Sequence, residues 1–90
     1  MLETMRLVVE GKVQGVFYRQ STREKAATLG ITGTVKNMPD GNVEIIATGT
    51  SEQLKQLIRW CNQGPPSAVV TNVRSTTLPL QSFKNFIVIH

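Results

Sequence analysis

The segment Gly11–Arg19, with the sequence GKVQGVFYR, contains the residue types in this chain best suited to chemistry. It joins a β-rich run to a helical pattern, so it offers unpaired backbone N–H groups beside the positive end of a helix dipole. Arg19 begins that helix and Arg23 lies one turn further on, where two positive charges are unfavourable unless an anion binds. The segment indicates a phosphate-like anion site, although a tight turn with two solvated arginines explains the spacing equally well.

A second polar segment, Gly33–Gly49, reads GTVKNMPDGNVEIIATG. The tripeptide Pro39–Gly41 divides it into two β-rich runs, and Asp-Gly is among the strongest hairpin signals. Asn37 lies just before that turn. By composition it is a turn-forming asparagine. Its carboxamide could also accept a hydrogen bond from water and donate one, which leaves a chemical role open.

Hydrophobic spacing predicts the elements that position these two segments. A capping-box pattern at Thr50 and Gln53 precedes apolar residues at helical spacing over Leu54–Cys61, which predicts a second helix that ends at Gly64–Pro66. The first helix is predicted at Gln20–Leu29, with Gly30 as its C-terminal cap. The predicted strands are Met5–Glu10, Ile31–Met38, Asn42–Ala47, Ala68–Thr77 and Phe83–Ile89, and Gly11–Gly15 is predicted as a loop.

This order of elements predicts an α+β fold of the ferredoxin-like, split βαβ kind. It reads βαββαβ with an additional C-terminal strand, and the expected structure is an antiparallel sheet with two helices packed on one face. RNA-binding, metal-handling and regulatory domains use the same order. The architecture therefore does not decide the activity.

The composition limits the classes of protein and partner that are plausible. Ninety residues, 40% of them hydrophobic and 18% charged, fit one globular domain over residues 1–90 and exclude collagen-like or coiled-coil chains. The net charge of +4 favours anionic partners. Cys61 is the single cysteine, which excludes an internal disulfide and a four-thiolate cluster. No run approaches about 18 apolar residues, so a cytoplasmic protein without membrane contact is expected.

The two polar segments together resemble the acylphosphatases, small enzymes that hydrolyse carboxyl-phosphate mixed anhydrides. The resemblance rests on GKVQGVFYR, on GTVKN followed after three residues by GNV, and on GPPSAVV, and it spans about Leu7–Ile89. It implies that Arg19 binds the phosphate and that Asn37 orients the attacking water. The backbone amides that would share the phosphate are those of Gln14, Gly15, Val16, Phe17 and Tyr18.

The implied chemistry requires few groups. An acyl phosphate releases a carboxylate, whose conjugate acid has a pKa of about 4 to 5, so no strong general acid is needed. We therefore expect no cofactor and no metal, and a monomer whose partners are a small-molecule acyl phosphate and inorganic phosphate or another anion in the loop. His90 is expected to be an exposed terminal residue, and Trp60 and Cys61 are expected to pack in the second helix.

Two residues depart from the family pattern. Thr34 follows Gly33 where the family usually has an aromatic residue, which leaves the local packing and the lip of the substrate pocket as open questions. Tyr18 precedes Arg19 where phenylalanine is more usual, so its hydroxyl needs water or a hydrogen-bond partner if it is buried. Neither departure removes a proposed catalytic group.

Two other functions share this scaffold. An RNA-recognition module needs exposed aromatic residues on its sheet, and the run Asn42–Thr48 has none, so no nucleic-acid partner is expected. A regulatory module that senses phosphate or carboxylate without turnover is compatible with the same motifs. Only an assay of catalysis separates that second alternative from an enzyme.

Overall fold

Five strands and two helices follow one another in the predicted order. The computed structural model describes residues 1–90. Neither helix is long and apolar enough to cross a bilayer. The strands are β1 (Leu2–Lys12), β2 (Thr32–Asn37), β3 (Val43–Thr50), β4 (Val69–Leu78) and β5 (Phe86–Ile89), and the helices are α1 (Tyr18–Leu29) and α2 (Ser51–Gln63).

All five strands form one sheet in the order β4-β1-β3-β2-β5. β1 pairs antiparallel with β3 and β4, and β2 pairs antiparallel with β3 through the predicted hairpin. β5 pairs parallel with β2, so the sheet is mixed rather than wholly antiparallel. The direction of β5 follows from its connection, because residues 79–85 carry the chain from one edge of the sheet to the other along a single end.

Both helices cover the same face of the sheet, which confirms the ferredoxin-like prediction. α1 packs over β2 and β5, and α2 packs over β4, β1 and β3. Alternate strand residues point toward the helices because successive side chains on a strand face opposite sides. The buried cluster between the layers includes Leu7, Val9, Val35, Val43, Ile45 and Ala47 from the sheet and Tyr18, Ala26, Leu54, Leu57 and Cys61 from the helices.

The two helices begin in different ways. In α2 the predicted capping box is present, since Thr50 Oγ1 accepts from the Gln53 amide at 3.2 Å and Gln53 Oε1 accepts from the Thr50 amide at 2.8 Å. α1 has no side-chain cap and no acidic residue in its first turn. Its C-terminal end is closed as predicted by Gly30, with φ of 78°. The first turn of α1 therefore keeps its positive dipole end unneutralised.

β1 is longer than the sequence indicated, because it extends to Lys12 through part of the predicted loop. The register against β4 shifts between Glu10 and Gly11, which forms a bulge. Gly11 has φ of 125°, and a Cβ there would lie 2.2 Å from the carbonyl oxygen of Val69. Only glycine allows β4 to approach so closely, and the loop before α1 is shortened to residues 13–17.

The connection between β4 and β5 is fixed to the central strands by hydroxyl groups. Thr4 in β1 and Thr48 in β3 lie opposite each other, with their Oγ1 atoms 2.6 Å apart. The Gln81 amide donates to Thr4 Oγ1 at 2.9 Å, and Thr48 Oγ1 donates to the Gln81 carbonyl at 2.8 Å. These bonds hold residues 79–85 as a connection, so the last strand begins at Phe86 rather than at the predicted Phe83.

Candidate active site

The two side chains predicted to do chemistry line one cavity. This cavity, of about 290 Å³, lies where α1 begins and β2 ends. It contains no aspartate or glutamate among its lining residues, so a bound anion would meet no carboxylate side chain. The lining residues are Val13, Gly15, Phe17, Tyr18, Arg19, Gln20, Asn37, Val88 and His90.

The loop of residues 13–17 supplies backbone N–H groups at the start of α1. None of the amides of residues 14–17 donates to another backbone oxygen. Gly15 has φ of 74°, and Phe17 also lies in the left-handed region, with φ of 61° and ψ of 24°. Free amides together with an uncapped helix start favour an anion at this point. Gly15, Phe17 and Tyr18 line the cavity, whereas Gln14 and Val16 are not among its lining residues.

Arg19 brings a positive charge that no side chain of the protein neutralises. Its Nη1 donates to the carbonyl oxygen of Ile89 in β5 at 2.9 Å, which orients the guanidinium. The ion pairs of the chain lie elsewhere and do not include Arg19. A guanidinium carries five N–H donors, so the remaining ones can bind the oxygens of a phosphate.

Arg23 does not join Arg19 in this cavity. It is exposed and lines a neighbouring cavity of about 380 Å³, which shares Gln20, Val88 and His90 with the first. The like-charged pair expected at the start of the helix is therefore divided between two cavities. Arg19 alone lines the space beside the loop and Asn37.

Asn37 carries the one buried side-chain oxygen or nitrogen that has no hydrogen-bond partner, its Oδ1. A buried acceptor without a donor is unfavourable by about 1–3 kcal/mol, so its presence requires an explanation. Asn37 is the last residue of β2 and lines the cavity with Arg19. The unpaired oxygen is available to accept a hydrogen bond from a water molecule or ligand there.

Gln14 joins the loop to the hairpin through its side chain. Its Nε2 donates to the carbonyl oxygens of Met38 at 2.8 Å and Asn42 at 2.9 Å. Met38 directly follows Asn37, so this contact sets the position of the loop relative to Asn37. The sequence motifs imply a role only for the backbone amide of Gln14, and they give no indication of this side-chain contact.

Comparison with known proteins agrees with the geometry. The acylphosphatase family model matches residues 5–88. The chain belongs to the acylphosphatase family. It is 54% identical over 85 residues to an acylphosphatase of Marinobacter nauticus, covering 93% of this chain and 92% of that one. The structure of an acylphosphatase from Coxiella burnetii superposes with a TM-score of 0.95 at 40% identity, covering 98% of this chain and 93% of that one. The acylphosphatase from Bacillus subtilis gives a TM-score of 0.94 at 33% identity over the whole of both chains.

The tyrosine that departs from the acylphosphatase pattern has a defined partner. Tyr18 is buried, and its hydroxyl donates to the carbonyl oxygen of Cys61 at 2.7 Å, in the last turn of α2. Burial, together with the neighbouring Cys61, raises the pKa of the Tyr18 phenol well above its usual range. Burial also raises the pKa of the Cys61 thiol to about 12. Both side chains are therefore uncharged near neutral pH, which suits their burial in the core. Cys61 packs there as predicted.

The second departure from the acylphosphatase pattern lies away from the site. Thr34 alternates with the buried Val35 and therefore faces away from the helices. Its strand neighbours are Ile46 in β3 and Ile87 in β5. Thr34 is not among the residues that line the cavity, so this departure does not change the cavity wall.

The acylphosphatase motifs account for only part of the cavity wall. Val88 and His90 come from the C-terminal strand region, which the motifs do not include, and Gln20 comes from the first turn of α1. His90 is exposed as expected, but it also lines the cavity. No group of three or more histidine, cysteine, aspartate or glutamate side chains is arranged to hold a metal ion.

Proposed function

We propose that this member of the acylphosphatase family hydrolyses the carboxyl-phosphate anhydride of acyl phosphates in the cavity of Arg19 and Asn37. The Arg19 guanidinium and the loop amides of residues 14–18 would hold the phosphoryl oxygens. The Asn37 carboxamide would orient the attacking water. The observation that carries the proposal is the unpaired, buried Oδ1 of Asn37 in the same cavity as Arg19, which no aspartate or glutamate lines.

The reaction needs positioning and electrostatic stabilisation more than proton transfer. The water oxygen attacks phosphorus, the bond from phosphorus to the acyl oxygen breaks, and the acyl group leaves as a stable carboxylate. The proton that water loses ends on the inorganic phosphate. Charge spreads over the equatorial phosphoryl oxygens in the transition state, where Arg19 and the amides would bind it. Asn37 orients the water and does not act as a base, because a carboxamide is a poor proton acceptor.

The hydrolysis of benzoyl phosphate tests the proposal with two alanine variants. Arg19→Ala and Asn37→Ala should each lower kcat/KM by about 100-fold or more, the usual effect of removing one transition-state donor or orienting group. Arg23→Ala is the matched control, because it removes an arginine one turn away that does not line the cavity of Arg19 and Asn37, and it should keep near wild-type activity. Far-UV circular dichroism establishes that each variant is folded.

Each pattern of activity among these variants leads to a separate conclusion. Full turnover by Asn37→Ala would remove the water-orienting role and leave the phosphate site intact. Equal losses in Arg19→Ala and Arg23→Ala would show that general positive charge, rather than the cavity, supports the reaction. A folded wild type that binds phosphate but hydrolyses no acyl phosphate would favour the regulatory sensor.

Further parts of the proposal concern the partners. Inorganic phosphate should inhibit competitively with the acyl phosphate, since it carries the group that Arg19 and the loop bind.

We also propose that the protein is a monomer. In its support, the sheet face away from the helices carries charged pairs, with Glu44 Oε2 2.6 Å from Arg6 Nε and Glu10 Oε2 2.7 Å from Arg74 Nε. Sedimentation velocity tests the monomer, and a concentration-dependent dimer would contradict it.

A further inference from the structure

Phe17 combines two features that the stability of the fold does not explain. Its φ of 61° is the only positive φ at a residue other than glycine, while six glycines take the other positive values. A side chain with a Cβ is disfavoured in that conformation. The side chain is also 83% exposed, so it recovers little hydrophobic stabilisation. Glycine or asparagine would suit this backbone better, and the benefit of the ring must lie elsewhere.

The position of Phe17 indicates what that benefit is. Phe17 lines the cavity that contains Arg19 and Asn37, and its backbone belongs to the loop before α1. The other apolar residues of the cavity wall, Val13, Tyr18 and Val88, are buried or half-buried. The ring of Phe17 is therefore the one large apolar surface at the cavity that faces solvent. In an acyl phosphate bound through its phosphoryl end, the acyl group extends from the cavity toward solvent.

We propose that the ring of Phe17 contacts the acyl group and makes the chain prefer acyl phosphates with an aromatic or similarly large apolar acyl group. This inference rests on the hydrolytic function proposed above. Every acyl phosphate presents the same phosphoryl group to Arg19, so selection among substrates must come from contacts to the acyl part. An aromatic acyl group can stack on the ring and cover it from water, whereas an acetyl group is too small to do either.

Two substrates and three variants test this inference. Benzoyl phosphate and acetyl phosphate share the reacting group and differ in the acyl part. Phe17→Asn keeps the loop amide and tolerates the left-handed backbone, and it should lower the benzoyl-to-acetyl ratio of kcat/KM about fivefold. Phe17→Tyr keeps the ring and should keep the ratio. Leu80→Asn is the matched control, because Leu80 is 62% exposed and lies in the connection at the other end of the sheet.

Phe17→Asn should not destabilise the fold, because the side chain that it removes is exposed, so a change in the substrate ratio would not reflect unfolding. The melting temperature of Phe17→Asn should stay within about 4 °C of the wild type. An unchanged ratio in Phe17→Asn, or the same loss for both substrates, would overturn the inference and leave the hydrolytic function standing. A wild type that hydrolyses neither substrate would instead refute the hydrolytic function on which the inference rests.

Discussion

Replacing Tyr18 with phenylalanine should destabilise the protein, although phenylalanine is the more usual residue in the acylphosphatase family. The substitution removes the 2.7 Å hydrogen bond from the phenol to the carbonyl oxygen of Cys61. Both residues are buried, so the carbonyl in the last turn of α2 loses its donor where water cannot easily replace it. A lost buried hydrogen bond with an unpaired acceptor is worth about 2 kcal/mol. For a chain of this length, that corresponds to a fall in melting temperature of about 10 °C.

Thermal unfolding followed by circular dichroism measures this effect, and the fluorescence of Trp60 gives a local readout. The Trp60 ring lies 5.5 Å from the Tyr18 ring, between centroids, so its emission reports on the same contact. Ser75→Ala removes an exposed hydroxyl on β4 and should change the melting temperature by less than about 4 °C. The activity of Tyr18→Phe should stay within about twofold of the wild type, since only its backbone amide is assigned to the site. A melting temperature that does not fall would refute the reasoning and show that the Cys61 carbonyl finds another donor.

Two further predictions concern Gln14 and Cys61. Gln14→Met keeps the side-chain length but removes both donors to Met38 and Asn42, so kcat should fall roughly tenfold or more as the loop shifts relative to Asn37; unchanged kinetics would contradict the positioning role. Because folding raises the pKa of Cys61 from 9.0 to about 12, only the unfolded state loses this proton just above pH 9. The free energy of unfolding should therefore fall by about 1 kcal/mol between pH 9 and 10, and the slope should approach about 1.4 kcal/mol per pH unit above pH 10. Urea titrations across that range should give a flatter slope for Cys61→Ala, and equal slopes would contradict the assignment.

Local patterns in the sequence predicted most of the fold. The capping box at Thr50, the turn before Asn42 and the glycine after the first helix all depend on neighbouring residues, and all appear at the predicted places. The start of α1 was placed two residues too late, because Phe17 adopts a conformation that its residue type disfavours. The parallel pairing of β5 depends on the path of a whole connection, which no local pattern encodes.

The site was predicted less completely, and the reason is physical. Arg19 and Asn37 carry side chains whose chemistry can be read from the motifs, and they line one cavity. Gln14 acts on two backbone carbonyls, and carbonyls have no residue type that a sequence could reveal. The contribution of Val88 and His90 depends on where the last strand docks. Contacts made by the backbone and by distant strands require the three-dimensional structure.

The bond from Arg19 to Ile89 has a consequence for a nascent chain on the ribosome. The guanidinium is oriented by a strand that is translated after every other element, and that strand docks only along β2. A chain that has emerged as far as α2 already contains Arg19, the loop and Asn37, yet it lacks the carbonyl that aims the arginine. Competence to bind a phosphoryl group should therefore arise abruptly once β5 has emerged, rather than growing as each earlier segment emerges.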